Sequence, residues 1–394
     1  MSAAEPPRGA NPAPAGGSAA AKPQAWGGHS NVPLPPGPPP RHVTKVTVDQ
    51  YASFGERIDV RSPSEFADDH LPGAVNLPVL DDDERVLVGT MYTKVSAFDA
   101  RKAGAAIVAR NIARIVETHV RDKPREWAPL VYCWRGGQRS RALVHVLGEI
   151  GFRAAQLDGG YRAYRRHVVA LLAQWPRQFD YRVICGLTGS GKSRLIEAIG
   201  VVGGQALDLE RLARHRGSLL GDLPGEPQPT QKAFESALYD AFTRLDASRP
   251  VYVESESQRI GRLQVPEALL DSMRAAPCIR LDVAQSLRIA MLEADYAHLA
   301  SDEARLHAQL APLAKLHGNA VVARWEAMMQ SGQTTELAAE LLEQHYDPSY
   351  ERAMLRNFPR YRSGAVLRID DARDEAFRDL ARQLLDRAKA PQPA

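Results

Sequence analysis

The stretch RVICGLTGSGKSRLIEAIG, residues 182–200, decides the architecture of the second half of the chain. It opens with an apolar run typical of a buried strand, and it ends with KSRLIEAIG, which predicts a helix. Between the two, GLTGSGKS (186–193) fits the pattern G-x-x-x-x-G-K-[ST]. A strand, a glycine-rich turn and a helix in this order predict a loop whose backbone N–H groups bind a phosphate at the positive end of the helix.

The residue types of this loop suit that task. Three glycines allow a tight turn and a close approach of the backbone, and Lys192 adds a mobile positive charge. Ser193 is the expected ligand if Mg²⁺ is bound. The predicted phosphate-binding residues are Gly186, Thr188, Gly189, Ser190, Gly191, Lys192 and Ser193.

Acidic residues are expected where neighbouring strands end, because P-loop proteins hold their metal there. VYVES (251–255) supplies Glu254, with Glu256 next to it, and QALDLE (205–210) supplies Asp208 and Glu210. No aspartate takes the usual place at the end of VYVES. The pattern therefore predicts a phosphate or diphosphate site but does not establish nucleotide hydrolysis, and ordinary surface ion pairing is the alternative for Glu254 and Glu256.

A second loop, in PLVYCWRGGQRSRAL (129–143), carries Cys133. A short apolar run precedes the cysteine, and a predicted helix follows the glycines and arginines. A helix N-terminus, inward N–H groups and nearby arginines all favour a thiolate, so we predict Cys133 as a nucleophile and Arg139 as its anion-binding partner. Cys185 and Cys278 lie within predicted strands and are expected to be core residues.

Strands alternate with helices along the whole chain, which predicts parallel sheets and an α/β fold. Residues 1–42 are rich in Pro, Ala and Gly and are expected to be a disordered tail. We predict a three-layer α/β domain over 43–172 and a P-loop NTPase-like α/β domain over 173–390. A helical insertion is predicted at about 284–347.

Composition narrows the class of protein. Of the 394 residues, 44% are hydrophobic and 25% charged, which are globular values, and the net charge is only +3. Three cysteines without a C-x-x-C pair indicate neither a disulfide framework nor a zinc site. No apolar run approaches the roughly 20 residues that cross a bilayer. A cytoplasmic protein without a membrane partner is expected.

Three stretches, IDVRSPSEFADDHLPGAVNLP (58–78), VYCWRGGQRS (131–140) and LDGGYRAYRR (157–166), together resemble a rhodanese domain. That family carries sulfane sulfur on its cysteine. A typical sulfur-transferring member has four residues between the cysteine and the arginine, whereas this chain has five, as do related Cys-x5-Arg phosphatases. The loop is thus compatible with sulfur transfer, selenium transfer or phosphate-ester cleavage.

The order CWRGGQRS, GLTGSGKS, LDLERLARHRGSLLG (207–221), QPTQKAFES (228–236) and VYVESESQRIG (251–261) resembles the tRNA 2-selenouridine synthases over about 45–370. The resemblance implies a transferase that replaces sulfur by selenium at C2 of wobble 2-thiouridine in tRNA, with selenophosphate as donor. It also implies transfer of a geranyl group from geranyl diphosphate to the sulfur, and no tightly bound cofactor. A transient partner would be the enzyme that supplies selenophosphate. The P-loop is expected to hold geranyl diphosphate rather than a hydrolysable nucleotide.

Other residues carry weaker expectations. A tRNA partner needs basic surface, and clusters of arginines interleaved with two aromatic residues are candidates for it. These are Arg162, Arg165, Arg166, Arg214, Arg216, Arg259, Arg262, Arg356, Arg360 and Arg362, with Phe358 and Tyr361 expected to stack on bases. Met291, Leu292, Tyr296 and Leu299 are the place to look for a terpene site, although their helical spacing favours plain core packing.

Two other readings stay open. A phosphatase fused to a kinase would need a general acid near Cys133, for which Asp158 is the nearest candidate. A non-catalytic regulator that binds RNA would not need the intact pair of Cys133 and Arg139. His70 is expected to be structural, and Asp59 and Arg61 to brace the cysteine loop.

Overall fold

The computed structural model describes residues 44–218, 221–296 and 303–389, and these fall in one compact unit. The predicted disordered tail, 1–42, lies outside the described residues. None of the helices within the described ranges combines the length and the apolar character that crossing a bilayer requires.

The first half is built on a sheet of five parallel strands in the order β1-β5-β4-β2-β3. The strands are β1 (Thr44–Val46), β2 (Arg57–Asp59), β3 (Ala74–Asn76), β4 (Leu130–Tyr132) and β5 (Ala155–Leu157). β4 occupies the middle, where Asp59 on β2 lies opposite Tyr132. The loop that carries Cys133 therefore leaves from the centre of the sheet.

Helices cover both faces of this sheet. They are α1 (Pro63–Asp68), α2 (Asp82–Lys94), α3 (Ala97–Ile115), α4 (Gln138–Ile150) and α5 (Gly160–Leu172). Side chains of β4 alternate between the faces: Val131 packs in the cluster that α3 and α4 complete, and Tyr132 in the cluster that contains α5. The expected three-layer α/β architecture is confirmed.

The second half has its own parallel sheet, in the order β12-β11-β6-β8-β7. Its strands are β6 (Tyr181–Cys185), β7 (Gln205–Leu207), β8 (Val251–Glu254), β11 (Cys278–Val283) and β12 (Ala365–Ile369), and β9 (Arg259–Ile260) pairs with β10 (Leu263–Gln264) as a separate antiparallel hairpin. The strand that feeds the phosphate loop, β6, is again the middle strand. Cys185 and Cys278 are buried in this sheet, as expected for core residues.

Eleven α-helices lie in the second half within the described residues. The helices beside the sheet are α6 (Lys192–Val201), α7 (Leu209–Ala213), α8 (Gln231–Thr243), α9 (Glu267–Ala275) and α16 (Asp374–Lys389), and a turn at Trp175–Gln178 precedes them. The insertion consists of α10 (Gln285–Tyr296), α11 (Glu303–Leu310), α12 (Ala314–His317), α13 (Asn319–Gln330), α14 (Thr334–Leu341) and α15 (Asp347–Asn357). Trp325 is fully buried in the centre of the insertion's own core.

One hydrophobic core joins the two halves. Tyr164 on α5 contacts both Tyr51 and Tyr239 in edge-to-face geometry, with ring centroids 6.0 Å apart in each pair, and Tyr239 belongs to α8 of the second half. The cluster continues from there to Val183 and Cys185 on β6. Separating the halves would expose this aromatic surface to water, so the burial of these rings holds the two sheets together.

Candidate functional site

The cysteine loop surrounds the sulfur of Cys133 with donors. Cys133 directly follows β4, and its side chain is only 3% exposed. The Sγ atom accepts hydrogen bonds from the Gly137 backbone N–H at 3.3 Å and from the Ser140 hydroxyl at 3.2 Å. An acceptor role is the one that a thiolate, or a sulfur bearing negative charge, requires.

Two polar residues that the sequence did not single out fix this geometry. Gln156 on β5 donates from Nε2 to the Ser140 Oγ at 2.8 Å and to the Gly136 carbonyl at 2.9 Å. The Ser140 hydroxyl thus accepts from Gln156 and donates to the sulfur. Both side chains are buried, at 0% and 1% exposure. A glutamine inside the otherwise apolar run AAQL was the one signal that could have pointed to this role.

The start of α5 holds the loop from the other side. The N–H groups of Tyr161 and Arg162 donate to the carbonyls of Cys133 and Trp134 at 2.9 and 3.0 Å. Gly160 lies so close that a Cβ there would sit 2.3 Å from the Cys133 carbonyl oxygen, and its φ is +56°. The paired glycines of LDGG are therefore required, because a side chain would push α5 off the loop.

Arg139, the second residue of α4, forms an ion pair. Its guanidinium donates to Glu65 of α1, with N–O distances of 2.7 and 3.4 Å. Burial opposes ionisation of this carboxyl, yet the hydrogen bond and the charge of Arg139 hold the pKa of Glu65 below its usual value. Glu65 was missed from the sequence because it lies 74 residues from its partner.

Beneath the loop lies the buried ion pair of Arg61 and Asp59. Nη2 of Arg61 is 2.6 Å from Oδ2 of Asp59, and the guanidinium lies 4.0 Å from the ring of Tyr161. The pair thus supports α5, which in turn holds the loop, so the bracing expected of these two residues is indirect. His70 hydrogen-bonds the Phe66 carbonyl through Nδ1 at 2.9 Å and stacks on its ring, as a structural residue would.

The phosphate loop lies between β6 and α6 as predicted. Gly189 and Gly191 have φ values of +75° and +79°, which only glycine adopts without strain. Lys192 turns back on the loop, and its Nζ donates to the Gly186 carbonyl at 3.0 Å. Ser193 donates its hydroxyl to Glu210.

All four predicted acids converge next to this loop. Oε1 of Glu254 accepts from the backbone N–H of Glu210 at 2.8 Å, and its Oε2 has no hydrogen-bond partner among the described residues. Burial, together with the charges of its acidic neighbours, raises the pKa of Glu254 well above its ordinary value. Burial and the charge of Glu210 likewise raise the pKa of Glu256 to about 8, and burial raises the pKa of Asp208 to about 6.

A cavity of about 690 Å³ opens in front of the phosphate loop. Two helices of the insertion, α10 and α15, form part of its wall. Of the residues expected near a terpene, Leu292 and Tyr296 line the cavity, Met291 is buried in the core, and Leu299 lies outside the described residues. No group of three or more His, Cys, Asp or Glu among the described residues is arranged to hold a metal ion.

Asp69 connects the two halves of the protein. Its Oδ2 accepts from the Tyr161 hydroxyl at 2.8 Å and from the Ser236 hydroxyl of α8 at 3.0 Å. The side chain is buried, and burial raises its pKa. Asp68, the preceding residue, forms an exposed ion pair with Lys232 at 2.6 Å. The QPTQKAFES stretch is therefore the segment that joins the P-loop half to the first half.

The structure separates the expected basic residues into two groups. Arg162 and Arg166 are exposed, as are Arg214, Arg259, Arg262, Arg356, Arg360 and Arg362. Arg165 is instead paired with Glu235 across the two halves, and Arg216 donates to the Asp295 carbonyl. These contacts occupy the two side chains inside the fold.

The expectation that Phe358 stacks on a base is wrong. Phe358 is 1% exposed and packs in the core that joins the halves, and Tyr361 packs against the same core. The alternation of aromatic and basic residues in RNFPRYR reflects one inward and one outward face of the chain, because the rings fill the core while the arginines reach water.

The fold and these two sites define a class: a rhodanese-like cysteine loop joined to a P-loop domain. Family models agree with each half. The rhodanese-like domain matches residues 48–167, and the tRNA 2-selenouridine synthase AAA domain matches residues 179–361.

Curated relatives extend the match across both halves. The tRNA 2-selenouridine synthase of Nitrosomonas europaea is 37% identical over 61% of this chain and 63% of its own length. That of Marinobacter nauticus is 36% identical over 63% of this chain and 68% of its own length. This chain belongs to the tRNA 2-selenouridine synthase family. The match to the Nitrosomonas relative spans a little less than two thirds of that protein.

Proposed function

We propose that this protein exchanges sulfur for selenium at C2 of the wobble 2-thiouridine of tRNA, in two steps at its two loops. The observation that carries the proposal is the presence, in one compact unit, of a loop whose donors cradle a sulfur atom and a phosphate loop that opens on a cavity of about 690 Å³. Sulfur chemistry and diphosphate binding are the two capacities that such a reaction needs.

The first step is assigned to the phosphate loop. The thiouridine sulfur attacks C1 of geranyl diphosphate, the C–O bond to the diphosphate breaks, and the nucleobase loses its N3 proton. The loop N–H groups and Lys192 take up the charge of the departing diphosphate. Leu292 of α10 and Met354 of α15 give the cavity apolar surface for a terpene chain.

Mg²⁺ would fit beside this loop. It favours oxygen ligands and binds through one or two carboxylates together with substrate phosphates, so it does not need a cage of protein ligands. Ser193 and Glu210 supply such oxygens, and the unpartnered Oε2 of Glu254 lies in the same acidic cluster. A bound Mg²⁺ would neutralise part of the diphosphate charge.

The second step is assigned to the cysteine loop. Selenophosphate delivers selenium to C2, geranylthiol leaves, and the phosphoryl group passes to water as phosphate. Cys133 is proposed as a thiolate that positions the selenophosphate for this displacement. The loop N–H groups bind the anionic donor, and Arg139 contributes as well, since a guanidinium has five N–H donors and Glu65 takes only part of them.

Three further parts of the proposal concern the partners and the location of the reaction. The partner is tRNA, the selenophosphate comes from a transiently associated enzyme, and the reaction takes place in the cytoplasm. The rival phosphatase function gains no support from the site. Glu65 has a lowered pKa and Asp158 is paired with Lys45 at the surface, so neither is suited to be the general acid of a phosphatase.

The test is a reconstitution with pure components. An anticodon stem–loop RNA that contains one 2-thiouridine is incubated with the protein, selenophosphate and geranyl diphosphate, and the nucleosides are identified by mass spectrometry. We expect S-geranyl-2-thiouridine without selenophosphate and 2-selenouridine with it. Unchanged 2-thiouridine under all conditions would exclude the proposal, and Cys133-dependent hydrolysis of an aryl phosphate would support the phosphatase instead.

A further inference from the structure

We propose that Trp134 is a stacking platform for an unpaired pyrimidine base of the RNA and that Arg135, Arg162 and Arg166 bind the phosphates on either side of that base. The inference rests on the proposed function in taking RNA as the substrate. Beyond that function, the inference names the residues that present the base to Cys133. We call these four residues the loop surface.

Trp134 is held firmly although its ring is exposed. It directly follows Cys133, and its carbonyl accepts the N–H of Arg162 at 3.0 Å. Its ring packs on Tyr161 at a centroid distance of 5.3 Å and an angle of 32°, and the side chain still exposes 36% of its surface. Trp134 is therefore a large, partly exposed ring next to Cys133, and its packing on Tyr161 fixes its orientation. Such a ring is preorganised to contact a ligand.

The three charged side chains near the Trp134 ring are arginines that form no ion pair within the described part of the chain. They are Arg135, Arg162 and Arg166, and all three are exposed. Nη2 of Arg166 lies 3.8 Å from the position that a Cβ on Gly159 would take, which places the guanidinium beside the start of α5.

The acids in the vicinity are already paired. Arg139 neutralises Glu65 at 2.7 Å, and Lys45 pairs with Asp158 at 3.2 Å. The loop surface therefore combines one aromatic face with three free cations. Unpaired bases flanked by phosphates complement this combination, since RNA loops are recognised by stacking on aromatic rings and by contacts to the backbone.

Such stacking also serves the reaction. Cys133 itself is almost fully covered, whereas the ring of Trp134, the next residue, offers an exposed face for a base beside the loop. A ring at Trp134 would stop the base at a fixed depth and leave its C2 edge beside the loop. Trp134 is thus a positioning residue, and it would act through the affinity for RNA rather than through the chemical step.

Binding of a fluorescently labelled anticodon stem–loop with one 2-thiouridine, measured by anisotropy, tests the inference. We expect Trp134→Ala to weaken binding on the order of tenfold and Trp134→Phe to stay within about threefold of the wild type, because phenylalanine keeps a stacking face. Tyr92→Ala removes an exposed aromatic residue of α2 and should change nothing.

The salt dependence tests the arginines separately. Arg135→Ala should lower the slope of log affinity against log salt by about 0.7–0.9, as expected for the loss of one phosphate contact. Arg125→Ala, at another exposed arginine, should leave the slope unchanged. In turnover experiments Trp134→Ala should raise the KM for RNA while kcat stays within about threefold.

A second readout remains available if Trp134→Ala does not fold. The fluorescence that wild type has and Trp134→Phe lacks should be quenched when the RNA is added. Wild-type binding by a folded Trp134→Ala variant, or no quenching of the Trp134 signal, would overturn the inference while RNA conversion by the wild type left the proposed function intact. A wild-type protein that neither binds nor converts the RNA would instead refute the proposed function.

Discussion

The cysteine loop and the phosphate loop have the same backbone plan and opposite electrostatics. Each follows the middle strand of a five-stranded parallel sheet and leads into a helix. Two neutral donors contact the sulfur of Cys133, whereas Asp208, Glu210 and Glu256 line the cavity at the phosphate loop. Glu254 lies behind them and accepts the N–H of Glu210. The first loop can therefore accept an anion as it stands, while the second must keep its carboxyls protonated or bind a cation first.

The two loops also differ in how accessible they are to a substrate. Cys133 is 3% exposed and covered by its own loop, while the phosphate loop opens on a cavity walled by the helical insertion. A small donor such as selenophosphate suits the first site, and a longer molecule with a diphosphate end suits the second. This contrast is the reason for assigning one step of the proposed reaction to each loop.

The largest expected effect is that of Cys133→Ser. Replacing the thiol that we propose acts on the selenium donor should lower selenium incorporation at least about 1000-fold, because a hydroxyl does not form the anion at neutral pH. Geranylation should stay within about threefold of the wild type. Both products are measured by mass spectrometry of the nucleosides.

Cys278→Ala is the matched control, since that cysteine is a core residue of β11, and it should retain selenium incorporation. If Cys133→Ser incorporated selenium at the wild-type rate, the cysteine loop would have to be reassigned.

Lys192→Ala comes next. Loss of the charge that faces the diphosphate should slow geranylation about 100- to 1000-fold, the range typical for removal of one strong electrostatic contact. Selenium incorporation into RNA that already carries the geranyl group should persist. Lys94→Ala, an exposed lysine at the end of α2, provides the control. Equal loss of both steps in Lys192→Ala would argue against a division of labour between the loops.

A smaller effect, on stability rather than on the reaction, is expected at Asp69, which connects the two halves. Asp69→Ala should lower the free energy of unfolding by about 2–3 kcal/mol, because it leaves the Tyr161 and Ser236 hydroxyls buried without their acceptor. Asp68→Ala breaks only an exposed ion pair and should cost less than about 1 kcal/mol. Denaturant unfolding of the two variants measures the difference, and equal costs would mean that Asp69 does not connect the halves.

The last expected effect concerns the pH dependence of stability. The folded protein raises the pKa of Glu256 from 4.5 to about 8, so it keeps a proton that the unfolded chain has lost. The free energy of unfolding should therefore fall as the pH rises between about 5 and 8, by at most about 1.4 kcal/mol per pH unit from this group.

Glu256→Gln should flatten that decline in thermal unfolding experiments at pH 6 and pH 8. Glu126→Gln, at an exposed glutamate, should not. A wild-type slope in Glu256→Gln would show that the carboxyl is already ionised at pH 6. Added Mg²⁺ should reduce the wild-type decline, because a cation stabilises the ionised cluster.

What the sequence could predict depends on how far apart the interacting residues lie. The two loops were predictable because each is formed by consecutive residues between a strand and a helix. Glu65 and Gln156 were not, since they meet Arg139 and Ser140 only after distant elements pack together. Phe358 was misjudged for the related reason that its neighbours in sequence are exposed while its own ring fills a core built from other elements.

Complementation between variants tests most directly whether geranylation and selenium incorporation take place at two separate loops. RNA treated with Cys133→Ser and geranyl diphosphate is purified and then given to Lys192→Ala with selenophosphate. We expect S-geranyl-2-thiouridine after the first incubation and 2-selenouridine after the second, although neither variant alone completes the exchange on 2-thiouridine. Absence of the geranylated product after the first incubation, or of selenouridine after the second, would contradict the assignment of one step to each loop.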